Sequence, residues 1–232
     1  MTIDPLVLMT DVEDATEALL RAAETLTDGE IGAPSLLPGW SAGHVLTHLA
    51  RNADALTNLL TWARTGVETP AYASPEARAA GIEAGAGRPV AEQLADLRAA
   101  HDRFADAAAA MPEAAWATPL PLARSAATVP WLRLCEVEIH RVDLGRGYTP
   151  ADWPEAFALR LLRATVKNPP AGAPAMVLRP FGLERPLVIG SADAPVVGGP
   201  TRSLAAWLVG RADGSDLTVS PDGELPEPAR WK

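Results

Sequence analysis

Cysteine is nearly missing from this sequence. Cys135 is the only one among 232 residues, so no disulfide can form within the chain and no thiolate-rich metal cluster can be built. Any metal site must draw on histidine and carboxylate side chains. Lysine is almost as scarce: Lys167 and Lys232 are the only two among 20 basic residues, no basic cluster exists, and the net charge is −9. That balance argues against nucleic acid or an anionic membrane as partner. No apolar run approaches membrane-spanning length. Met1-Thr2-Ile3-Asp4-Pro5 has neither the basic region nor the apolar stretch of an export signal, so a soluble cytoplasmic protein is expected. The sequence also lacks an internal repeat, a Gly-rich phosphate loop and a Gly-x-Ser-x-Gly nucleophile elbow.

What is present is a core. An apolar fraction of 48% suits one larger or two small domains. From about Asp4 to Thr27, Leu6, Val7, Met9, Val12, Ala15, Leu19, Leu20, Ala23 and Leu26 recur at helical spacing. A second helix, N-capped by Ser41 after the Pro38-Gly39 break, runs to about Arg64. The stretch from Gly66 to Pro89 is rich in Gly, Pro and Ala and carries Tyr72, a short helix beginning at Ser74-Pro75-Glu76, and Arg78; connections of that length are commonly functional or mobile. Further helices follow from Val90 to Met111 and from Pro130 to Gly145, and another from Asp152 to Val166 closes the bundle. A short extended excursion is expected between Leu120 and Val129. Lys167 to Pro174 then changes composition and marks the expected domain border. Beyond it, Ala175 to Arg179, Pro186 to Ile189 and Leu217 to Ser220 read as strands and Thr201 to Gly210 as a helix. The fold class is therefore mainly α, a helical bundle over 1–167 followed by a small α/β unit over 175–232.

Three of the four histidines are candidates for chemistry. On the second helix His48 sits at the edge of the apolar sector with Val45, Asn52, Leu56 and Leu59, whereas His44 points more to solvent. A lone inward histidine is as well explained as a hydrogen-bonded core residue, so His48 needs a partner. Glu136 and His140 supply one: four residues apart, they lie about 40° from each other on one helical face and can reach one ion. Glu138 projects oppositely, and Asp143 stands where it could orient His140 or simply cap the helix. His101 is read either as a third imidazole at the metal or as a buried histidine at a helix interface. Two imidazoles and one carboxylate suit a divalent ion such as zinc with positions left open, the pattern of a catalytic rather than a structural site. Cys135, about 100° away from Glu136, reads as a small buried residue.

Several segments together carry a resemblance. They are Leu37-Pro38-Gly39-Trp40-Ser41 leading into His44–Asn52, Glu68-Thr69-Pro70, Ser74-Pro75-Glu76-Ala77-Arg78, Glu136–Gly145 and the closing Gly223–Trp231. Over essentially the whole chain they resemble the mycothiol-dependent maleylpyruvate isomerases, members of the DinB-like metal-binding four-helix bundles. The resemblance implies a DinB-like four-helix bundle followed by a compact α/β domain, with zinc between the second and fourth bundle helices. It implies His48, Glu136 and His140 as ligands and two active-site arginines, Arg78 and Arg211. On their own residues, Arg78 would read as a solvated loop charge and Arg211 as a cation favoured at a helix C-terminus. The implied activity is metal- and mycothiol-dependent cis–trans isomerisation of maleylpyruvate to fumarylpyruvate by reversible thiolate addition. The implied partners are a small-molecule substrate and mycothiol, and nothing requires more than a monomer. Mycothiol S-transfer onto another electrophile and a non-catalytic metal-binding regulatory bundle stay open. Two departures adjoin the ligand helix: the chain is shorter just before Trp131 than the family pattern, and Cys135 stands where that pattern has arginine.

Overall fold

The computed structural model describes residues 4–121 and 123–229. Two compact units, Met1–Arg146 and Gly147–Lys232, divide the chain.

In the first unit four long helices form the bundle. α1 (Pro5–Ala23) begins where the Asp4 carboxylate accepts from the amide of Leu6 at 2.9 Å and Pro5 occupies the first turn, an arrangement that satisfies an orphan donor and needs no N–H from proline. Its buried stripe is Leu8, Val12, Ala15, Leu19, Leu20 and Ala23; each fully buried leucine contributes about 1.5–3 kcal/mol. α2 (Ala42–Thr65) is held at its start by a reciprocal cap, the His44 amide donating to Ser41 Oγ and the Ser41 amide donating to His44 Nδ1. α3 (Pro75–Ala86), capped by Ser74, lies against α2. α4 (Val90–Ala109) follows Pro89 and has no cap from its own N-terminus; the Asp28 carboxylate, reaching in from the loop after α1, accepts from Val90 N at 2.7 Å instead. α5 (Val129–Asp143) runs unbroken with Pro130 in its first turn. α2 packs on α4 and α5, and α1 on α5 and α4.

The α2–α3 contact is unusually close. A Cβ at Gly43 would overlap the carbonyl oxygen of Ala86, and one at Gly85 would overlap the side chain of Thr47. Gln93 secures this crossing by donating to the carbonyls of Ala86 (3.0 Å) and Arg88 (3.1 Å) while accepting from the Thr47 hydroxyl (3.2 Å).

In the second unit, α6 (Glu155–Lys167) packs on α7 (Thr201–Leu208) beside a sheet of β1 (Met176–Pro180), β2 (Leu187–Ile189), β3 (Val196–Gly199) and β4 (Thr218–Ser220). The strand order is β2-β1-β3-β4, with β1 antiparallel to β2 and parallel to β3, and β3 antiparallel to β4.

Two expectations change. The border expected over Lys167–Pro174 falls at Arg146–Gly147, because Phe157, Ala158, Leu161 and Leu162 of α6 are buried in the unit of α7 and the sheet rather than in the bundle. Among the described residues between Leu120 and Val129, the only extended pairing is the single bridge Leu120–Ala123, and a 3-10 turn over Ala126–Thr128 leads directly into α5. The strand β3 was not anticipated, and Arg230 and Trp231 of the closing motif lie outside the described residues.

Candidate metal centre

His48 comes from the second turn of α2, and Glu136 and His140 come from one face of α5, four residues apart. Three ligand atoms converge. His48 Nε2 lies 2.9 Å from Glu136 Oε2 and 3.1 Å from His140 Nε2, and His140 Nε2 lies 3.4 Å from Glu136 Oε2. Among the described residues this is the group of histidine, cysteine and acidic side chains placed to hold a metal ion. The donor set fits zinc: atoms at tetrahedral corners about 2.0–2.2 Å from a central ion stand about 3.3–3.6 Å apart, within a few tenths of an ångström of the triangle found here.

The surroundings tune each of the three side chains. His140 Nδ1 is 2.8 Å from Asp143 Oδ2, so an Nδ1 proton is donated to that buried carboxylate and Nε2 is the nitrogen turned to the centre. Asp143 is therefore an orienting group rather than a ligand. Burial lowers the His140 pKa, but the bonds to Asp143 and Glu136 outweigh it and the pKa is raised. For His48, burial dominates and the pKa is lowered despite Glu136. Burial by itself would raise the Glu136 carboxyl; hydrogen bonds with His140 and His48 hold it well below the ordinary carboxylate range. The Glu136 side chain keeps 33% of its surface exposed, against 3% for His48, so the centre opens to solvent on the carboxylate side.

Trp40 sets its ring edge-to-face on His48 at 5.4 Å and stacks on His44 at 6.2 Å. His44 itself turns Nε2 to Glu83 at 3.1 Å and takes no part in the centre. Arg78 is not a solvated loop charge. It lies in the first turn of α3, half-buried, with Nη2 3.3 Å from His48 Nδ1 and its guanidinium 5.7 Å from the centre of the Tyr72 ring. The close α2–α3 crossing is what carries it there.

The other sequence candidates fall elsewhere. His101 is no third imidazole at the centre: it is buried on α4 and lines a groove with Leu6, Met9, Glu13 and Glu17 of α1, its Nδ1 without a hydrogen-bond partner. Cys135 is half-buried and outside the converging group, and the shortened segment before Trp131 leaves α5 intact. Arg211 belongs to the second unit, just after α7, where its Nη1 donates to the Val209 carbonyl at 2.8 Å. Sequence reasoning missed Arg133, fully buried three residues before Glu136. A charged residue on the apolar face of α5 was the available signal.

The family model for the mycothiol maleylpyruvate isomerase N-terminal domain matches residues 12–145, which hold the whole converging group. No curated protein matches significantly. Among solved structures, a crystal structure of the mycothiol-dependent maleylpyruvate isomerase is 32% identical and aligns over 99% of this chain and 98% of its own, with a TM-score of 0.89. A histidine-to-alanine mutant of it aligns equally far at 32% identity, with a TM-score of 0.88. With likeness at that identity running from end to end, and the family's own domain lying across the bundle, the chain belongs to the mycothiol-dependent maleylpyruvate isomerases and is an enzyme.

Proposed function

We propose that the protein is a zinc- and mycothiol-dependent cis–trans isomerase of the cytoplasm that converts maleylpyruvate to fumarylpyruvate. The convergence of His48, Glu136 and His140 within a chain 32% identical to such an isomerase carries this reading. His48 and His140 through Nε2, and Glu136 through a carboxylate oxygen, would hold the ion. A divalent ion held there would supply one thing, a lowered pKa for a coordinating thiol, so that mycothiol could add reversibly as a thiolate across the cis double bond. With three protein ligands the centre keeps room for that sulfur, unlike a closed structural site.

The remaining work falls to side chains of this chain. Asp143 fixes the tautomer and tilt of His140. An imidazole whose Nε2 is committed to an ion keeps its proton on Nδ1. His48 then offers Arg78 no acceptor, and the guanidinium is left to a substrate carboxylate, which it can meet with paired charge-assisted bonds. Arg211 is proposed as a second guanidinium for substrate charge on the family resemblance alone.

The test is product analysis of maleylpyruvate incubated with zinc-loaded protein, with and without mycothiol. Fumarylpyruvate that forms only with the thiol supports the reading. A thioether product instead would make the protein an S-transferase, and no turnover would favour a binding role. In the same assay R78M and R211A are expected to lose turnover at least tenfold while retaining zinc; loss of metal from either variant would refute this division of roles.

A further inference from the structure

Arg133 is buried completely, yet no carboxylate bonds to it. Its Nη1 donates to two acceptors on α2, the carbonyl of Leu49 at 2.8 Å and Asn52 Oδ1 at 2.9 Å. Nε and Nη2 have no hydrogen-bond partner. A buried guanidinium with two of its nitrogens unpaired is an arrangement that stability alone disfavours, and an apolar side chain of similar volume often serves a core better. Such exceptions gather where function holds them in place.

The position of the two acceptors indicates that function. Leu49 follows His48 directly and Asn52 lies one turn beyond it; Arg133 lies three residues before Glu136, about 60° around the same helix. The guanidinium thus spans the gap between the helix that carries one ligand and the helix that carries the other two. Burial pushes its pKa down to about 10, with Glu136 among the charges that oppose the shift, so it stays cationic at neutral pH.

We propose that Arg133 is a positioning residue, a strut from α5 to α2 that holds His48 at the distance from Glu136 and His140 at which all three share one ion. It rests on the reading of that group as a metal centre. The sequence signal, a charge on the apolar face of α5, does not name the helix to which the side chain crosses.

Zinc affinity of the full chain, measured by chelator competition, and the absorption spectrum of its cobalt-substituted form test this. In R133M zinc binding is expected to weaken by about 10–100-fold, the range typical for groups that orient metal ligands, and the cobalt spectrum to change. The melting temperature of the metal-free protein should hold or rise. R133K, which can keep one of the two bonds, should recover part of the affinity. Native affinity and an unaltered cobalt spectrum in R133M would overturn the proposal. Should R133M not fold, N52L removes one acceptor from the α2 side, and undiminished zinc binding there would overturn it equally. A native chain that binds no zinc would remove the metal centre itself, a distinct result from a centre indifferent to Arg133.

Discussion

At the residue scale the centre is a set of opposed pKa shifts within about one hydrogen-bond length. His140 is raised from its ordinary 6.5 and His48 lowered from the same value, so in the metal-free protein His140 keeps a proton that His48 has already lost. A zinc ion would need both imidazoles neutral, each with its Nε2 free of a proton. Its affinity is therefore expected to rise with pH until His140 has titrated, with proton release on binding below that point, and to level off above it. The signs for stability follow. His140 contributes below 6.5 and loses its contribution as pH rises through its raised folded pKa. His48 and Glu136 contribute above their unfolded values and lose it on acidification. Calorimetric zinc titration in two buffers of different ionisation enthalpy checks the first expectation; binding without proton release across about pH 5–8 would contradict it. The pairing of Glu136 with His140 was legible because two residues four apart on one helix must share a face, whatever the rest of the fold does; that His48 joins them came from its inward place on the second helix and from the family resemblance. Arg78 was named by the family resemblance and not by its own spacing, and Arg133 showed only as a charge on an apolar face, since the reach of a guanidinium to another helix leaves no trace in spacing. His101 shows the converse, with helical spacing that placed it inward but could not say toward which neighbour.

At the scale of elements, the bundle helices were legible from stripes and stop signals, and their observed ends differ from the expected ones by a few residues. What spacing could not supply was partnership. The apolar face of α6 demanded burial but not a particular partner, and it found α7 and the sheet. β3 is four residues with two glycines, Val196–Gly199, too weak in side-chain pattern to stand out. The α2–α3 crossing is likewise tertiary, and Gly85 tests it by sign. In an open helix position, Gly85→Ala would stabilise by about 1 kcal/mol through propensity. Here the added methyl meets Thr47, itself only 1% exposed, so we expect net destabilisation by about 1–3 kcal/mol in denaturant unfolding, with Arg78 displaced and turnover reduced. A more stable variant would show that the crossing yields easily and does not govern the site.

At the scale of the whole molecule, an acidic chain with no helix among its described residues long and apolar enough to cross a membrane brings a small cluster of nitrogen and oxygen ligands together in its helical unit. The account depends on that cluster holding an ion. The most direct measurement is zinc content by elemental analysis of protein purified without a metal-affinity tag, native against Glu136→Ala, with circular dichroism to confirm that the variant is folded. Close to one zinc per native chain and almost none in the folded variant is the expected result. A native chain without zinc, or zinc that stays when Glu136 is removed, would contradict the assignment of the centre.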